Sequence, residues 1–108
     1  MDEKMIEITF GIIGFAGDAK GLAFEAIDEA KKGNIDIARK KLEESKEVMV
    51  KAHKFQTELI QKEASGEKTD MSVMLVHSQD HLMTSMTFQQ LAGEFVDLYE
   101  RLDRKSVV

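Results

Sequence analysis

A long apolar repeat in the last third of the chain restricts the fold more than any other feature of the sequence. Its members follow one another at alternating three- and four-residue steps: Met74, His77, His81, Thr84, Phe88, Leu91, Phe95, Leu98 and Leu102. This spacing is that of a heptad seam, in which one face of a helix packs along another helix. Two histidines occupy seam positions that normally hold leucine or isoleucine, so apolar burial does not explain them. We therefore expect a long packed helix that carries chemistry near its start.

Two earlier segments have the same helical periodicity. The first has Ile8, Ile12, Phe15, Ala19, Leu22 and Ala26 on one face, and the second has an inner stripe of Ile35, Ala38, Leu42, Met49, His53, Gln56 and Ile60. Short turns at 31–34 and 65–70 separate the segments, and Thr69 or Asp70 is expected to cap the third helix. Helices joined by short connections run antiparallel. The sequence predicts one all-α domain over 1–108, an antiparallel three-helix bundle with helices over about 6–32, 35–64 and 70–104.

The composition agrees with this fold and excludes several function classes. The 108 residues include no proline, only seven glycines and many alanine, glutamate, lysine, leucine, isoleucine and methionine residues, a mix that favours helix. The formal charge of −5 and the lack of a block dense in lysine and arginine argue against nucleic acid. No apolar run is long enough to insert into a membrane, and we expect a cytoplasmic protein. With no cysteine, only histidine and carboxylate side chains are left for covalent or metal chemistry.

The third helix is apolar around most of its circumference. A second stripe runs through Leu75, Leu82 and Met86, with Val73, Val76 and Met83 between the two stripes. Two neighbouring helices cannot cover such a helix, so we expect the chain to oligomerise through it. The methionines, which include Met71, Met74, Met83 and Met86, are interpreted as core residues, and Thr84 as bonded to its own helix backbone.

Polar residues and glycines are predicted to meet at one level of the bundle. Folding the second and third helices about their turn places Gln56 near the height of His77 and His53 near that of His81. Folding the first and second helices brings Gly11 and Gly14 to the same height, where glycines indicate close backbone approach. His77, Asp80 and His81 lie within about one turn of each other, so one helix presents two imidazoles and a carboxylate together.

Three functions fit this cluster. A zinc-dependent hydrolase could use His77 and His81, although such a site needs a third ligand and a substrate cleft. A non-catalytic oligomeric helical adapter is the second alternative, but it predicts leucine or isoleucine at both histidine positions. The third is a phosphocarrier, because a neutral imidazole is a nucleophile that can accept a phosphoryl group and pass it on.

Three segments resemble a known family, the lactose/cellobiose-specific enzyme IIA family of the bacterial sugar phosphotransferase system. The similarity covers nearly the whole chain, and the segment in the third helix is the most specific. The segments are Ala52-His53-Lys54-Phe55-Gln56-Thr57, Leu59-Ile60-Gln61-Lys62-Glu63-Ala64 and Val76-His77-Ser78-Gln79-Asp80-His81-Leu82-Met83-Thr84.

The resemblance implies a cytoplasmic homotrimer of three-helix subunits. His77 would accept a phosphoryl group from the phosphocarrier HPr and pass it to a cysteine of the cognate IIB protein. The IIC permease would couple that transfer to uptake of a β-linked disaccharide such as cellobiose, chitobiose or lactose. Asp80 would lie on the trimer axis, where three carboxylates hold a divalent cation, expected to be Mg²⁺. Supporting roles in orienting the imidazole or binding phosphoryl oxygens are assigned to Gln56, Gln79, His81 and His53.

Overall fold

Three long antiparallel helices form the protein in the computed structural model, which describes the backbone of residues 2–106 and side chains as far as Arg104. The helices are α1 (Glu3–Lys31), α2 (Ile35–Ala64) and α3 (Val73–Ser106). They make a rod of 61 × 20 × 20 Å. The predicted all-α three-helix bundle is confirmed, and α2 has the predicted bounds.

The starts of α1 and α3 differ from the prediction because other residues cap them. Asp2 caps α1, and its carboxylate accepts a hydrogen bond from the Met5 backbone N–H at 2.8 Å. Ser72 caps α3, with its hydroxyl accepting from the Leu75 N–H at 3.1 Å. Thr69 and Asp70 were the predicted caps, and this prediction is wrong. A side-chain acceptor one residue before the first free N–H groups stabilises a helix start, and Ser72 occupies that position.

The turn between α1 and α2 is held by a side-chain hydrogen bond. Gly33 takes the left-handed conformation, with φ of 87°, which closes the end of α1. Asn34 precedes α2 but does not cap it, since its side-chain amide donates to Glu29 Oε2 at 2.9 Å. This hydrogen bond to the ionised carboxylate lowers the pKa of Glu29.

α1 is the central helix, packing against both others, while α2 and α3 contact each other much less. The buried face of α1 is rich in alanine, which lets the neighbouring helices approach closely. The core has one part near the α2–α3 turn and another near the α1–α2 turn. Its fully buried members include Ile8, Ile12, Ala19, Ala26, Leu82, Ala92 and Val96.

Polar contacts bridge the weakly packed side of the bundle. The buried Ser45 hydroxyl donates to the Ala19 carbonyl at 2.6 Å and accepts from Gln89 Nε2 at 2.7 Å, which ties all three helices together. Nearer the α1–α2 turn, Arg39 of α2 forms ion pairs with Asp97 of α3 at 2.8 Å and with Glu100 of α3 at 3.2 Å. The hydrogen bond with Asp97 raises the pKa of Arg39.

The stripe of α3 that faces the core is not the predicted seam. Leu75, Ser78, Leu82, Ser85, Ala92 and Val96 are buried, whereas most of the predicted seam is exposed or half-buried. Small serines can take core positions because a serine hydroxyl can bond within its own helix, as Ser78 does to the Leu75 carbonyl at 2.6 Å. Most of the predicted seam is therefore an exposed outer face of α3, although Phe88 packs on Phe24 of α1 and His81 lies beside Gly17 of α1.

Candidate functional site

His77 lies in the second turn of α3 with its imidazole exposed. The ring of His81 stacks one turn further along, with the two ring centroids 6.0 Å apart and the ring planes at 6°. The spacing of four residues on a helix produces this stack. His81 is half-buried, and its position relative to α1 explains why: a Cβ added at Gly17 would lie 3.4 Å from His81 Nε2.

An open depression of about 760 Å³ lies on the outer face of α3 beside this imidazole pair. We call it the His77 depression. Its lining comes from the start of α3 and the residues just before it: Met71, Ser72, Val73, Val76, His77 and Asp80. It is apolar except for one hydroxyl, one imidazole and one carboxylate, and no lysine or arginine is among these lining residues. An incoming phosphoryl group can reach the imidazole from solvent.

Gln79 and Asp80 leave α3 in different directions. Gln79 is half-buried, and its amide donates to the Ser78 hydroxyl at 3.3 Å. The Asp80 carboxylate is exposed on the same outer face as His77. Thr84 is exposed, and its hydroxyl donates to the Asp80 backbone carbonyl at 2.9 Å, so its predicted bond to its own helix is confirmed.

The predicted level of Gln56 is confirmed, whereas the predicted place of His53 on the inner stripe of α2 is wrong. Gln56 is half-buried and lines one cavity together with Gln79, which places it opposite the first turns of α3. Its Oε1 atom is buried and has no hydrogen-bond partner among the described residues. His53, three residues earlier, is exposed. The two side chains are about 60° apart around the helix axis, so Gln56 faces this cavity while His53 lies just outside the edge of the buried stripe.

The glycines of α1 that lie close to other helices are not all the predicted ones. A Cβ at Gly11 would lie 2.6 Å from the Phe55 ring, so the expected close approach is confirmed there, although it involves a side chain. A Cβ at Gly14 would have none of the described atoms of a neighbouring element within 4 Å, and Gly17 is the glycine beside His81. The close approach that was predicted at Gly14 is therefore wrong.

Sequence reasoning missed the apolar side chains around His77. Met71 is 75% exposed and Val73 85% exposed, and both line the His77 depression. Met71, Met74 and Met83 were interpreted as core residues, but all three are exposed. The signal was present in the sequence, because a helix that is apolar all round must leave one side outside its own bundle.

A zinc site of the kind a hydrolase needs does not form within the described part of one chain. No group of three histidine, cysteine, aspartate or glutamate side chains comes close enough to hold a metal ion there. None of the three helices, over the same residues, is both long and apolar enough to cross a bilayer.

The sequence of this chain is similar to known proteins over most of its length. Residues 7–100 match the family model for the lactose/cellobiose-specific IIA subunit of the phosphotransferase system. The lichenan-specific phosphotransferase enzyme IIA component of Bacillus subtilis is 50% identical over 102 residues, which cover 94% of this chain and 93% of the relative.

Two solved structures have the same fold. The crystal structure of the cellobiose-specific enzyme IIA from Bacillus anthracis superposes with a TM-score of 0.93 at 47% identity, covering 97% of this chain and 95% of the other. The chitobiose IIA of Escherichia coli, solved as its complex with HPr, gives a TM-score of 0.80 at 37% identity, covering 95% and 99%. With its three-helix fold, its exposed His77 and these similarities, the chain belongs to the lactose/cellobiose-specific IIA family of the phosphotransferase system.

Proposed function

We propose that His77 is the residue that carries the phosphoryl group in this phosphotransferase component. The observation that carries the proposal is an exposed imidazole beside an open depression, within the α3 segment that resembles the family motif. A phosphocarrier must be reached by two different proteins in turn, so its reactive atom has to lie at the surface. His53 is also exposed, but it lies outside this depression and outside the α3 motif.

The transfer needs little covalent chemistry from other residues. A ring nitrogen of His77 attacks the phosphorus of phosphorylated HPr, and the bond from phosphorus to the donor breaks as the new bond forms. In the second step the thiolate sulfur of a cysteine on the cognate IIB protein attacks the same phosphorus, and His77 leaves as the free imidazole. The His81 ring lies parallel to that of His77 with the centroids 6.0 Å apart. Gln56 and Gln79 line the adjoining cavity with Val76, and these positions are what supports the auxiliary roles proposed for the three side chains.

HPr and a IIB protein are the proposed partners, and a β-linked disaccharide is the proposed transported substrate. A structural neighbour forms a complex with HPr, which supports the first partner. The similar proteins are named for lichenan, cellobiose and diacetylchitobiose. In the proposed system the membrane permease IIC selects the sugar. This chain would exchange phosphoryl groups with HPr and IIB and would not contact the permease directly. We therefore propose that the protein is cytoplasmic.

We further propose a homotrimer with a divalent cation on its axis. The outer face of α3 supports it, since Leu91, Leu98 and Leu102 are each about half exposed. Asp80 lies on that face, so parallel copies would bring their Asp80 carboxylates together. Within the described residues of one chain no three histidine, cysteine, aspartate or glutamate side chains form a metal site, and a site on the proposed axis would take one Asp80 from each copy. An all-oxygen donor set fits Mg²⁺, which would neutralise the gathered charges.

Phosphorylation of variants tests the role of His77. The protein is incubated with HPr, enzyme I and phosphoenolpyruvate, and an acid-labile phosphoryl adduct is sought by intact mass. We expect the adduct in the unaltered chain and none in His77→Ala, which should keep its fold and oligomeric state because the side chain is exposed. The variant His53→Ala keeps His77 and should still form the adduct. A phosphoryl adduct on the His77→Ala variant would show that His77 is not the residue that carries the phosphoryl group.

A further inference from the structure

The start of α3 lies close to the reactive side chain. α3 begins at Val73, four residues before His77, and residues 67–72 ahead of it form no helix or strand. In an α-helix each backbone N–H bonds to the carbonyl four residues earlier, so the backbone of His77 takes its acceptor from the first turn. The position of the His77 imidazole therefore depends on how firmly that turn is held.

Within one chain, packing holds the first turn through one side chain. Leu75 is the buried residue among 73–76, at 3% exposure, while Val73 and Val76 lie on the outer face. α2, which precedes the connection to α3, contacts α3 little. A helix end with few buried apolar contacts opens more readily than the middle of the helix. Hydrogen bonds of the backbone must therefore supply much of the order of this turn.

Two serine side chains hold the backbone of Leu75. Its N–H donates to the Ser72 hydroxyl at 3.1 Å, and its carbonyl accepts from the Ser78 hydroxyl at 2.6 Å. The Ser72 carbonyl accepts from the Val76 N–H at 3.1 Å, which is the first intrahelical bond of α3. The Ser72 hydroxyl thus satisfies one of the N–H groups that a helix start leaves without an intrahelical acceptor. Ser72 is half-buried and also lines the His77 depression.

We propose that Ser72 is a positioning residue for phosphoryl transfer. By capping α3 it holds the first turn, and through that turn it holds the His77 ring in the geometry that attack on phosphorus requires. This inference rests on the proposed function. Transfer needs the ring nitrogen within roughly 3–3.5 Å of the phosphorus, and a displacement of about 1 Å can slow such a step about a hundredfold.

A role limited to the stability of the whole fold does not fit the place of this cap. α3 has 34 residues, and its buried stripe continues from Leu75 to Val96. Loss of a cap at one end leaves that packing intact and acts on the adjoining turn, since the effect of a cap is local. The consequence of losing Ser72 should therefore be found at His77 rather than in the unfolding of the bundle.

Three variants test the proposal through the rate of transfer. Ser72→Ala removes the cap, and Ser72→Asn replaces it with another neutral side chain that caps helices well. Ser65→Ala is the matched control, because its hydroxyl bonds the Lys62 carbonyl at the end of α2, outside the His77 depression. Phosphorylation of His77 is measured with phosphorylated HPr and with phosphoramidate, a small donor that needs no protein surface.

We expect Ser72→Ala to slow phosphorylation about fivefold with both donors, the factor that corresponds to the usual contribution of a cap. The KM for phosphorylated HPr should not change, because the defect lies in the placement of the imidazole. Ser72→Asn and Ser65→Ala should transfer at the rate of the unaltered protein.

Amide hydrogen exchange gives a second readout at the same residues. In Ser72→Ala the N–H groups of Leu75, Val76 and His77 should exchange about fivefold faster, while those over 82–96 should not change. Three results would overturn the proposal: an unchanged rate in Ser72→Ala, a raised KM for phosphorylated HPr alone, or no recovery in Ser72→Asn. The second would mean that Ser72 contacts the donor protein, and the third that its hydroxyl itself touches the phosphoryl group. If the proposed function fails instead, the unaltered protein accepts phosphoryl from neither donor.

Discussion

At the scale of single residues, two glycines of α1 that look alike in the sequence have opposite roles. A Cβ at Gly11 would lie 2.6 Å from the Phe55 ring, whereas none of the described atoms of a neighbouring element lies within 4 Å of one at Gly14. Phe55 in turn stacks on Phe15, with ring centroids 6.1 Å apart, so it cannot move without disturbing a second ring. Of these two glycines, Gly11 is the one that packing among the described residues requires.

We therefore expect Gly11→Ala and Gly14→Ala to change stability in opposite directions. Gly14→Ala should raise the free energy of unfolding by about 0.5–1 kcal/mol, because alanine loses less backbone entropy in a helix. Gly11→Ala should lower it by about 1–3 kcal/mol, the usual cost of overpacking. Urea unfolding followed by circular dichroism measures both. A stabilised Gly11→Ala would mean that Phe55 swings aside freely.

The sequence predicted which residues of the site share a helix but not which of them face solvent. Spacings of three and four placed His77, Asp80 and His81 close together, and the structure confirms the His77–His81 stack. The predicted inward orientation of His77 was wrong, since two stripes of α3 are apolar and periodicity does not say which one packs on α1. Buried serines concealed the correct stripe, because serine is typical of a surface position.

At the scale of the helices, one buried hydroxyl connects α2 both to α1 and to α3, which α2 otherwise contacts little. Ser45 on α2 donates to the Ala19 carbonyl of α1 and accepts from the Gln89 amide of α3. The length, type and order of the helices followed from periodicity and turn residues. This contact did not, since it depends on how the helices rotate against one another, which the pattern of apolar residues does not specify.

Loss of this hydroxyl should destabilise the bundle. We expect Ser45→Ala to lower the free energy of unfolding by about 1–3 kcal/mol, because it leaves Gln89 Nε2 without its acceptor on the partly buried side of α3. Ser65→Ala is the matched control: that hydroxyl bonds the Lys62 carbonyl at an exposed helix end, and its loss should change stability by less than about 0.5 kcal/mol. Equal effects in thermal or urea unfolding would show that the three-helix contact contributes nothing.

At the scale of the whole molecule, the outer face of α3 should decide the oligomeric state. Leu98 is 50% exposed on this face and Val50 is 53% exposed on α2. We expect Leu98→Glu to shift the protein from the proposed trimer to monomer in sedimentation velocity, because three introduced carboxylates would meet where apolar side chains pack in that assembly. Val50→Glu carries the same charge elsewhere and should leave the trimer intact. A trimeric Leu98→Glu protein would show that copies associate through another surface.

In the proposed trimer, the charge of Asp80 would be shared by three chains at the axis. Its carboxylate is exposed among apolar side chains of the same face, including Val73 and Val76. Three such carboxylates brought to one axis would repel each other strongly unless a cation lay between them. We expect Asp80→Leu to lose bound metal in elemental analysis yet remain trimeric, because leucine exchanges the charge cluster for apolar packing. Chelation should lower the Tm of the unaltered protein and not that of the variant. A metal-free monomer in Asp80→Leu would show instead that the cation holds the three copies together.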